Sequence, residues 1–405
     1  MAALNVNKGE EVKLTANEFT FDYYVFTGWN TAADGSGTPY KDEATVKFDK
    51  DTTLYAQWWQ PKVTFKENGA TSGTMPAQSV GYNTATKLSS NVFKRTEYVF
   101  LGWNTKADGS GQAYTDQQSV TLTTNLELYA QWAIDLSTTT LSKTSWGGTN
   151  GNIYTLSSAE TDISERITVT GSVKLLLPAG VTLNAQKGIT VSGTNSLTID
   201  GTGTLNATGT SFSAGIGGFY NGGRDAGTII ISGGIVNATG GDAATGIGGA
   251  TYGACGNITI TGGTVTAEGD GWSGQANFAG AGIGSGAGYN SKAIGTVTIT
   301  GGTVTAIGNY GGAGIGGGSC ASDPGGEGIT VIITGGTVSA IKGKGNAGGD
   351  GIGHGNGGNS NRGTLTVDST TMNVYGDNNI NPPTTLRNNF ETTRYTYMKV
   401  EPKSI

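Results

Sequence analysis

The chain has 405 residues, 35% of them hydrophobic, which is enough for several domains and sizeable cores. Its 24 basic and 30 acidic residues leave a net charge of −6 and a pI near 4.9. That balance excludes nucleic acid or an anionic membrane surface as the main partner. No run of 18 apolar residues marks a membrane span, so no membrane insertion is expected, and Met1-Ala2-Ala3 does not read as a signal peptide. Residues 1–133 hold 25 of the 54 charged residues but only 10 of the 71 glycines, so two architectures meet near residue 134.

The first part repeats itself. Tyr24-Val-Phe-Thr-Gly-Trp29-Asn-Thr-Ala-Ala-Asp34-Gly-Ser-Gly37 returns as Tyr98-Val-Phe-Leu-Gly-Trp103-Asn-Thr-Lys-Ala-Asp108-Gly-Ser-Gly111, and Leu54-Tyr-Ala-Gln-Trp58 returns as Leu128-Tyr-Ala-Gln-Trp132. The offset of 74 also carries Leu14 onto Leu88. Val63-Thr-Phe-Lys66 has no counterpart in the first copy, which is expected to lack its opening strand and to belong to a longer multi-repeat protein. Alternation in Val63–Phe65 and Leu128–Trp132, with Asp-Gly-Ser-Gly as a turn signal, indicates β structure. Trp29, Trp58, Trp103 and Trp132 recur at fixed places and are assigned to cores. Trp59, replaced by Ala133 in the second copy, is expected at a surface or module boundary.

This aromatic-x-F-x-GWNT-x-ADGSG…LYAQW pattern resembles the Listeria-Bacteroides repeat, also called the internalin B-repeat, over residues 4–59 and 62–133. The resemblance implies small β-grasp-like modules of bacterial surface and secreted proteins. The expected division is a partial module at 1–60 and a module at 61–133. A linker and N-terminal cap follow at 134–170, then a β-helix at 171–375 and a C-terminal cap at 376–405.

The second part is organised around five short stretches. Ala214–Gly218, Thr245–Gly249, Ala281–Ser285, Ala313–Gly317 and Asp350–His354 centre on Ile216, Ile247, Ile283, Ile315 and Ile352, spaced 31, 36, 32 and 37 residues apart. A companion motif, Ile258-Thr-Ile-Thr-Gly-Gly-Thr-Val265-Thr-Ala267, recurs at Val297–Ala306 and Val331–Ala340. Such periods signal a solenoid. Alternation in Ile258, Thr259, Ile260 and in Val265, Thr266, Ala267 gives strands buried on one face, and paired glycines between them suit tight corners. Three strands per repeat fit an all-β, right-handed parallel β-helix with coils about 4.8 Å apart. Its GTVTITGG and AGIGGG coils resemble those of bacterial surface β-helix proteins described as carbohydrate-binding or pectate-lyase-like. That resemblance implies architecture rather than activity.

Candidate chemistry is sparse. Alignment on the glycine corners brings Asp242 and Asp270 onto adjacent coils with Glu268 nearby. This set reads as solvated loop acids, as an acid/base pair of a glycosidase or lyase, or, through Asp242 and Asp270, as Ca²⁺ ligands. No motif calls for another cofactor. Arg224-Asp225, Asp323 and Glu327 lie in separate loops, Lys342 and Lys344 sit where other coils have uncharged or acidic residues, and His354 is the sole histidine. Cys255 and Cys320 fall two coils apart, roughly 10 Å, and are expected as free thiols.

Aromatic residues are the richer set. Phe212, Phe219, Tyr220, Tyr252, Trp272, Phe278, Tyr289 and Tyr310 flank the GIG strands in a region otherwise poor in rings. They either cover strands that lack side chains of their own or stack on sugar faces, with Gln275 and other polar groups bonding hydroxyls. Trp272 is the leading contact, with Phe278, Tyr289, Tyr310, Tyr252 and Tyr220 beside it. An ice-binding ladder of Thr259, Thr261, Thr298 and Thr300 is interrupted by Ile230 and Ile332. The expected function is therefore a monomeric, non-catalytic, extracellular or cell-surface module binding a polysaccharide or host glycan. A polysaccharide lyase or glycoside hydrolase, and a structural stalk, are the alternatives.

Overall fold

The structure, a computed structural model, describes residues 1–274, 278–288, 294–320, 327–343, 349–356, 363–379, 381–387 and 395–403. It divides into two compact units, Met1–Trp132 and Ala133–Ile405. Both are built from strands, and the one helical element among the described residues is the short 3₁₀ turn Gly148–Asn150.

In the first unit the 74-residue repeat appears as two copies of one design. In the second copy, Ala113–Tyr114, Tyr98–Asn104, the start of Leu126–Asp135, Lys62–Lys66 and Gln78–Ser79 lie side by side. Lys62–Lys66 runs parallel to its neighbour, with Val63 opposite Leu126 and Phe65 opposite Leu128. Its inward residues, Val63 and Phe65, join Val80, Leu88, Phe93, Trp103, Val120, Leu128 and Ala130 in one core. The first copy has the smaller order Pro39–Tyr40, Val25–Asn30, Tyr55–Trp59, over a core of Leu14, Trp29 and Val46. Trp29 and Trp103 are core residues as expected. Trp58 and Trp132 are half-buried, and the Trp132 indole donates to the Glu67 carbonyl at 3.2 Å, so these rings seal an edge. Trp59 packs edge-on against Tyr82, where the two copies meet.

The second unit is a parallel β-helix. Each coil contributes one strand to each of three faces. The first face stacks Ser145–Gly147, Ile167–Thr170, Ile189–Thr190 and then the five Ile-Gly pairs from Ile216–Gly217 to Ile352–Gly353. The second runs from Ile153–Thr155 through Thr228–Ile231 and Gly256–Ile260 to Thr364–Val367. The third runs from Glu160–Ile163 through Thr264–Glu268 to Thr337–Ile341. Register is set by the alternation: Leu197, Ile229, Ile258, Val297 and Val331 stack directly on one another inside, as do Leu205, Val236, Val265, Val304 and Val338. These side chains are buried, each contributing about 1.5–3 kcal/mol.

Glycine is required in the first face. Gly217, Gly248, Gly284 and Gly316 have φ between 131° and 146°, and a Cβ on any of them would lie 1.7–2.0 Å from the carbonyl oxygen of the glycine one coil on. At the corners, Gly263, Gly302 and Gly336 turn the chain at φ near 80°.

Coil formation starts early. Residues 145–163, in the stretch read from sequence as linker and cap, supply the first coil's three strands. Trp146 and Tyr154 stack there at 5.2 Å, both fully buried, with the Tyr154 hydroxyl accepting the Gly147 amide. Polar support comes from Asp135, whose carboxylate accepts from Ser137, Thr138 and Ser157. At the far end Met372–Asp377 and Tyr397–Pro402 form an antiparallel pair, and the latter lies antiparallel on Thr337–Ile341, covering that edge. Both cysteines are free and buried, and burial pushes the Cys255 thiol up to about 12.

Candidate functional site

The aromatic residues sit where the loops before and after each Ile-Gly pair double over the first face. The loops are hydrogen-bonded to one another across coils: the Thr251 amide donates to the Phe212 carbonyl, the Ala287 amide to Ala243, and the Tyr252 amide to Ala287. Small buried residues, Ala243, Ala244, Ala250, Ala279 and Ala287, let this second layer lie close. Its own core consists of Ala243, Phe278, Ala287 and Cys320, with Phe212 against it.

On that layer the rings form a connected set. Counted from the end of each third-face strand, Phe212, Ala243 and Trp272 occupy one position on successive coils. Because Ala243 is small, Phe212 and Trp272 meet across it, edge to face at 5.8 Å. Phe212 also touches Tyr220 at 5.3 Å, and Phe278 touches both Trp272 and Tyr252, at 6.1 and 5.8 Å. Tyr310, one coil beyond, lays its ring on Gly271, where a Cβ would be 2.1 Å away. Tyr252 covers Gly288 in the same way.

Exposure sorts these rings into two roles. Tyr252, Trp272 and Tyr310 are 37–49% exposed. Phe278, expected from sequence among the contacts, is 2% exposed; it is the floor on which Trp272 and Tyr252 rest. Tyr220 is half-buried. Tyr289, with Gln275, Asp323 and Lys344, lies outside the described residues. Phe212, Tyr252 and Tyr310 all have positive φ, at 66°, 63° and 37°. Bulky residues rarely tolerate that region, and the surrounding loop packing holds them in it.

One member of the set was not legible from spacing. The Arg224 guanidinium lies over the Tyr220 ring at 4.4 Å and near the Tyr252 ring at 5.6 Å, a cation braced by two aromatic faces. Its loop position alone gave no sign of this. Arg166 is likewise hidden in the sequence: its fork donates to the Thr190 hydroxyl and to the Lys187 and Gly218 carbonyls at 2.7–3.0 Å, with Phe219 beside it. Burial pushes this guanidinium down to about 10.

Each acid has surroundings of its own. Asp270 accepts the Gly271 amide at 2.8 Å and the Asn309 side-chain amide at 3.3 Å, both through Oδ1. Asp242 meets Thr251 through its backbone carbonyl, and Glu268 is exposed on the third face between Thr239 and Ile307. Among the described residues no group of three or more His, Cys, Asp or Glu side chains forms a metal-holding set. A Ca²⁺ ion takes six to eight oxygens, a demand that Asp242 and Asp270 do not meet by themselves. His354 is buried 3.7 Å from Asp350, inside the last coil rather than at a surface.

A concavity of about 440 Å³ lies in the first unit, lined by Thr71, Ser72, Phe93, Arg95, Tyr98 and Trp132 among others. Arg95 stacks over Tyr98 at 3.7 Å. In the other copy Phe21 stacks on Tyr24 instead, at 4.4 Å.

Comparison with known families resolves both units. Residues 1–57 and 62–131 match the Listeria-Bacteroides repeat domain, and residues 197–223, 258–287 and 297–319 match a beta helix repeat. The N-terminal unit is a pair of Listeria-Bacteroides repeats. The beta helix repeat matches contain Phe212, Tyr220, Trp272, Phe278 and Tyr310, so the ring set belongs to the solenoid and not to the Listeria-Bacteroides repeats. Two curated relatives from Evansella cellulosilytica, described as "Putative Gly-rich membrane protein" and "Putative membrane protein", are 37% identical over 123 residues and 33% over 115. These alignments take in 28% and 27% of this chain, which spans only 14% and 17% of the relatives' lengths. No solved structure matches the chain. Listeria-Bacteroides repeats joined to a β-helix fit a surface protein. No helix among the described residues is long and apolar enough to cross a membrane, which leaves strands unaddressed.

Proposed function

We propose that the chain is a non-catalytic, extracellular module of the bacterial cell surface whose β-helix binds a polysaccharide or host glycan along its aromatic flank, with the Listeria-Bacteroides repeats as spacer. The observation that carries this reading is the set of exposed rings Tyr252, Trp272 and Tyr310, of which Tyr252 and Trp272 rest on the buried Phe278 and Tyr310 lies on Gly271. Rigid rings lose little conformational freedom on contact with a ligand, and sugars offer apolar C–H faces to them. Arg224, braced between two tyrosines, adds a fixed cation suited to a uronic or sulfated sugar. The descriptions of the Evansella relatives as membrane proteins support a location at the envelope.

The test is a polysaccharide panel incubated with the chain, with and without Ca²⁺, read for binding, for new reducing ends and for the ultraviolet absorbance of unsaturated products. Binding without product is expected, and Trp272→Ala is expected to weaken it at least tenfold, about 1.4 kcal/mol. Product that disappears in Asp242→Asn, Asp270→Asn or Glu268→Gln would establish a lyase or hydrolase instead. Neither binding nor product across the panel would leave the stalk.

A further inference from the structure

We propose that the concavity of the second Listeria-Bacteroides repeat is a binding site for a carboxylated sugar, such as a uronic acid unit of a polysaccharide. The proposal is independent of the aromatic flank of the β-helix, since it concerns the other unit and gives a repeat a ligand of its own.

Its volume of about 440 Å³ lies within the range of sites that take a small organic molecule. Three kinds of group line it. Tyr98, Phe100 and Trp132 are half-buried rings; Phe100 and Trp132 meet edge to face at 5.6 Å, and both pack on the core of the repeat. The Trp132 indole N–H is committed to the Glu67 carbonyl at 3.2 Å, so Trp132 offers the concavity apolar carbon. Thr71, Ser72 and Thr96 are exposed and bring hydroxyls. Lys94 and Arg95 bring two cations, and among the described residues that line the concavity there is no carboxylate. In a chain of net charge −6 this is a local reversal of sign.

The backbone fixes both cations. The Lys94 amide donates to the Ser72 carbonyl at 2.9 Å, and the Thr71 and Ser72 amides donate to the Lys94 carbonyl at 2.7 and 3.2 Å. The Tyr98 amide donates to the Arg95 carbonyl at 3.1 Å, closing a turn with Glu97 at a φ of 66°, and the Arg95 guanidinium lies over the Tyr98 ring at 3.7 Å. The first repeat makes the same turn, with the Tyr24 amide on the Phe21 carbonyl at 3.0 Å and Tyr23 at a φ of 72°, and there Phe21 stacks on Tyr24 at 4.4 Å. The turn therefore sets the stack, while the charge belongs to the second repeat: Thr20, Phe21 and Asp22 stand where Lys94, Arg95 and Thr96 do. A guanidinium and an ammonium pair with a carboxylate, hydroxyls exchange hydrogen bonds with sugar hydroxyls, and ring carbon takes an apolar C–H face. A carboxylated sugar uses all three sets, whereas a neutral sugar leaves the cations unused and a simple carboxylate leaves the rings and hydroxyls unused.

The test uses the full chain, titrated with glucuronate, glucose, acetate and tetraglutamate and followed by the tryptophan indole N–H signals in ¹H–¹⁵N spectra. Glucuronate is expected to move the Trp132 indole signal saturably, and glucose and acetate to bind at least tenfold more weakly. The double substitution Lys94→Thr with Arg95→Phe installs the residues that the first repeat carries at those positions, where the same turn already accommodates them. It is expected to weaken glucuronate at least tenfold with the urea midpoint of the chain unchanged. Trp272→Ala is expected to leave glucuronate binding at this site as it is, which separates this site from the β-helix flank. No saturable shift of the Trp132 signal, equal affinity for glucose, or equal affinity in the doubly substituted chain would each overturn the proposal. Tetraglutamate binding more tightly than glucuronate would overturn it in favour of an acidic peptide.

Discussion

Replacing Gly284 by alanine tests the stacking of the first face directly. Its new methyl carbon would stand 1.9 Å from the Gly316 oxygen, when contacts under 3.0 Å essentially never occur, so the two coils must part by about 1 Å. That movement stretches the bonds from the Ile283 and Ser285 amides to Gly314 and Gly316, now 3.0 and 2.9 Å, each with a net value of about 1 kcal/mol. The φ of 145° adds about 1–3 kcal/mol of backbone strain for a non-glycine residue. The expected loss is therefore about 3–5 kcal/mol, concentrated in neighbouring coils because repeats are stabilised by their neighbours. Gly171→Ala is the control: its φ is 74° but nothing lies within 4 Å of the added carbon, so only strain of about 1 kcal/mol is expected. Urea denaturation followed by circular dichroism gives the totals, and hydrogen exchange across residues 279–288 and 311–318 locates the damage. If both substitutions cost the same within about 0.5 kcal/mol, inter-coil contact does not determine glycine at this position.

Three further outcomes follow from buried polar groups. Arg166→Met should cost about 2–4 kcal/mol in urea denaturation, because the Lys187 and Gly218 carbonyls lose their donor, and Arg166→Lys should recover only part, lacking the fork. Cys255, with its thiol raised to about 12 by burial, should resist alkylation at pH 8 until the chain unfolds. The unfolded thiol ionises near its ordinary value while the folded one does not, so the Cys255 contribution is complete below pH 9 and lost as pH rises toward 12; Cys255→Ala should flatten that alkaline loss. Asp135 is held below the usual carboxylate range: desolvation opposes this, but the donors of Ser157 and Ser137 outweigh it. Its contribution is present above the unfolded value near 3.8 and lost as pH falls through the lower folded value, so Asp135→Asn should lower stability at pH 7 by about 1–3 kcal/mol and reduce the loss in acid.

Much of the architecture was legible because its causes are local. A two-residue alternation ending in a glycine pair specifies a strand with one buried face and a corner, and repetition at 31 to 37 residues specifies what that face packs against. The same locality placed Trp29 and Trp103 in cores and left Trp59 to a surface or a module boundary, the second of which its contact with Tyr82 supplies.

Side-chain roles on the flank were decided elsewhere. Trp272 and Phe278 are neighbours in one loop and equally apolar, yet one is open and the other buried. The difference arises from Ala287, on the far side of the Ile283–Gly284 strand, and from Ala243 and Cys320, which reach Phe278 from the neighbouring coils. The bracing of Arg224 likewise requires Tyr252, from the next coil, to come within reach. In the repeats, Phe19 is exposed whereas its counterpart Phe93 is buried, so one position of the repeat has two environments. Sequence by itself determined the strands, their corners and their stacking order, all consequences of short-range backbone preference and alternation. Only the tertiary structure decided which rings meet solvent, because that depends on the surfaces that segments far apart in the chain cover.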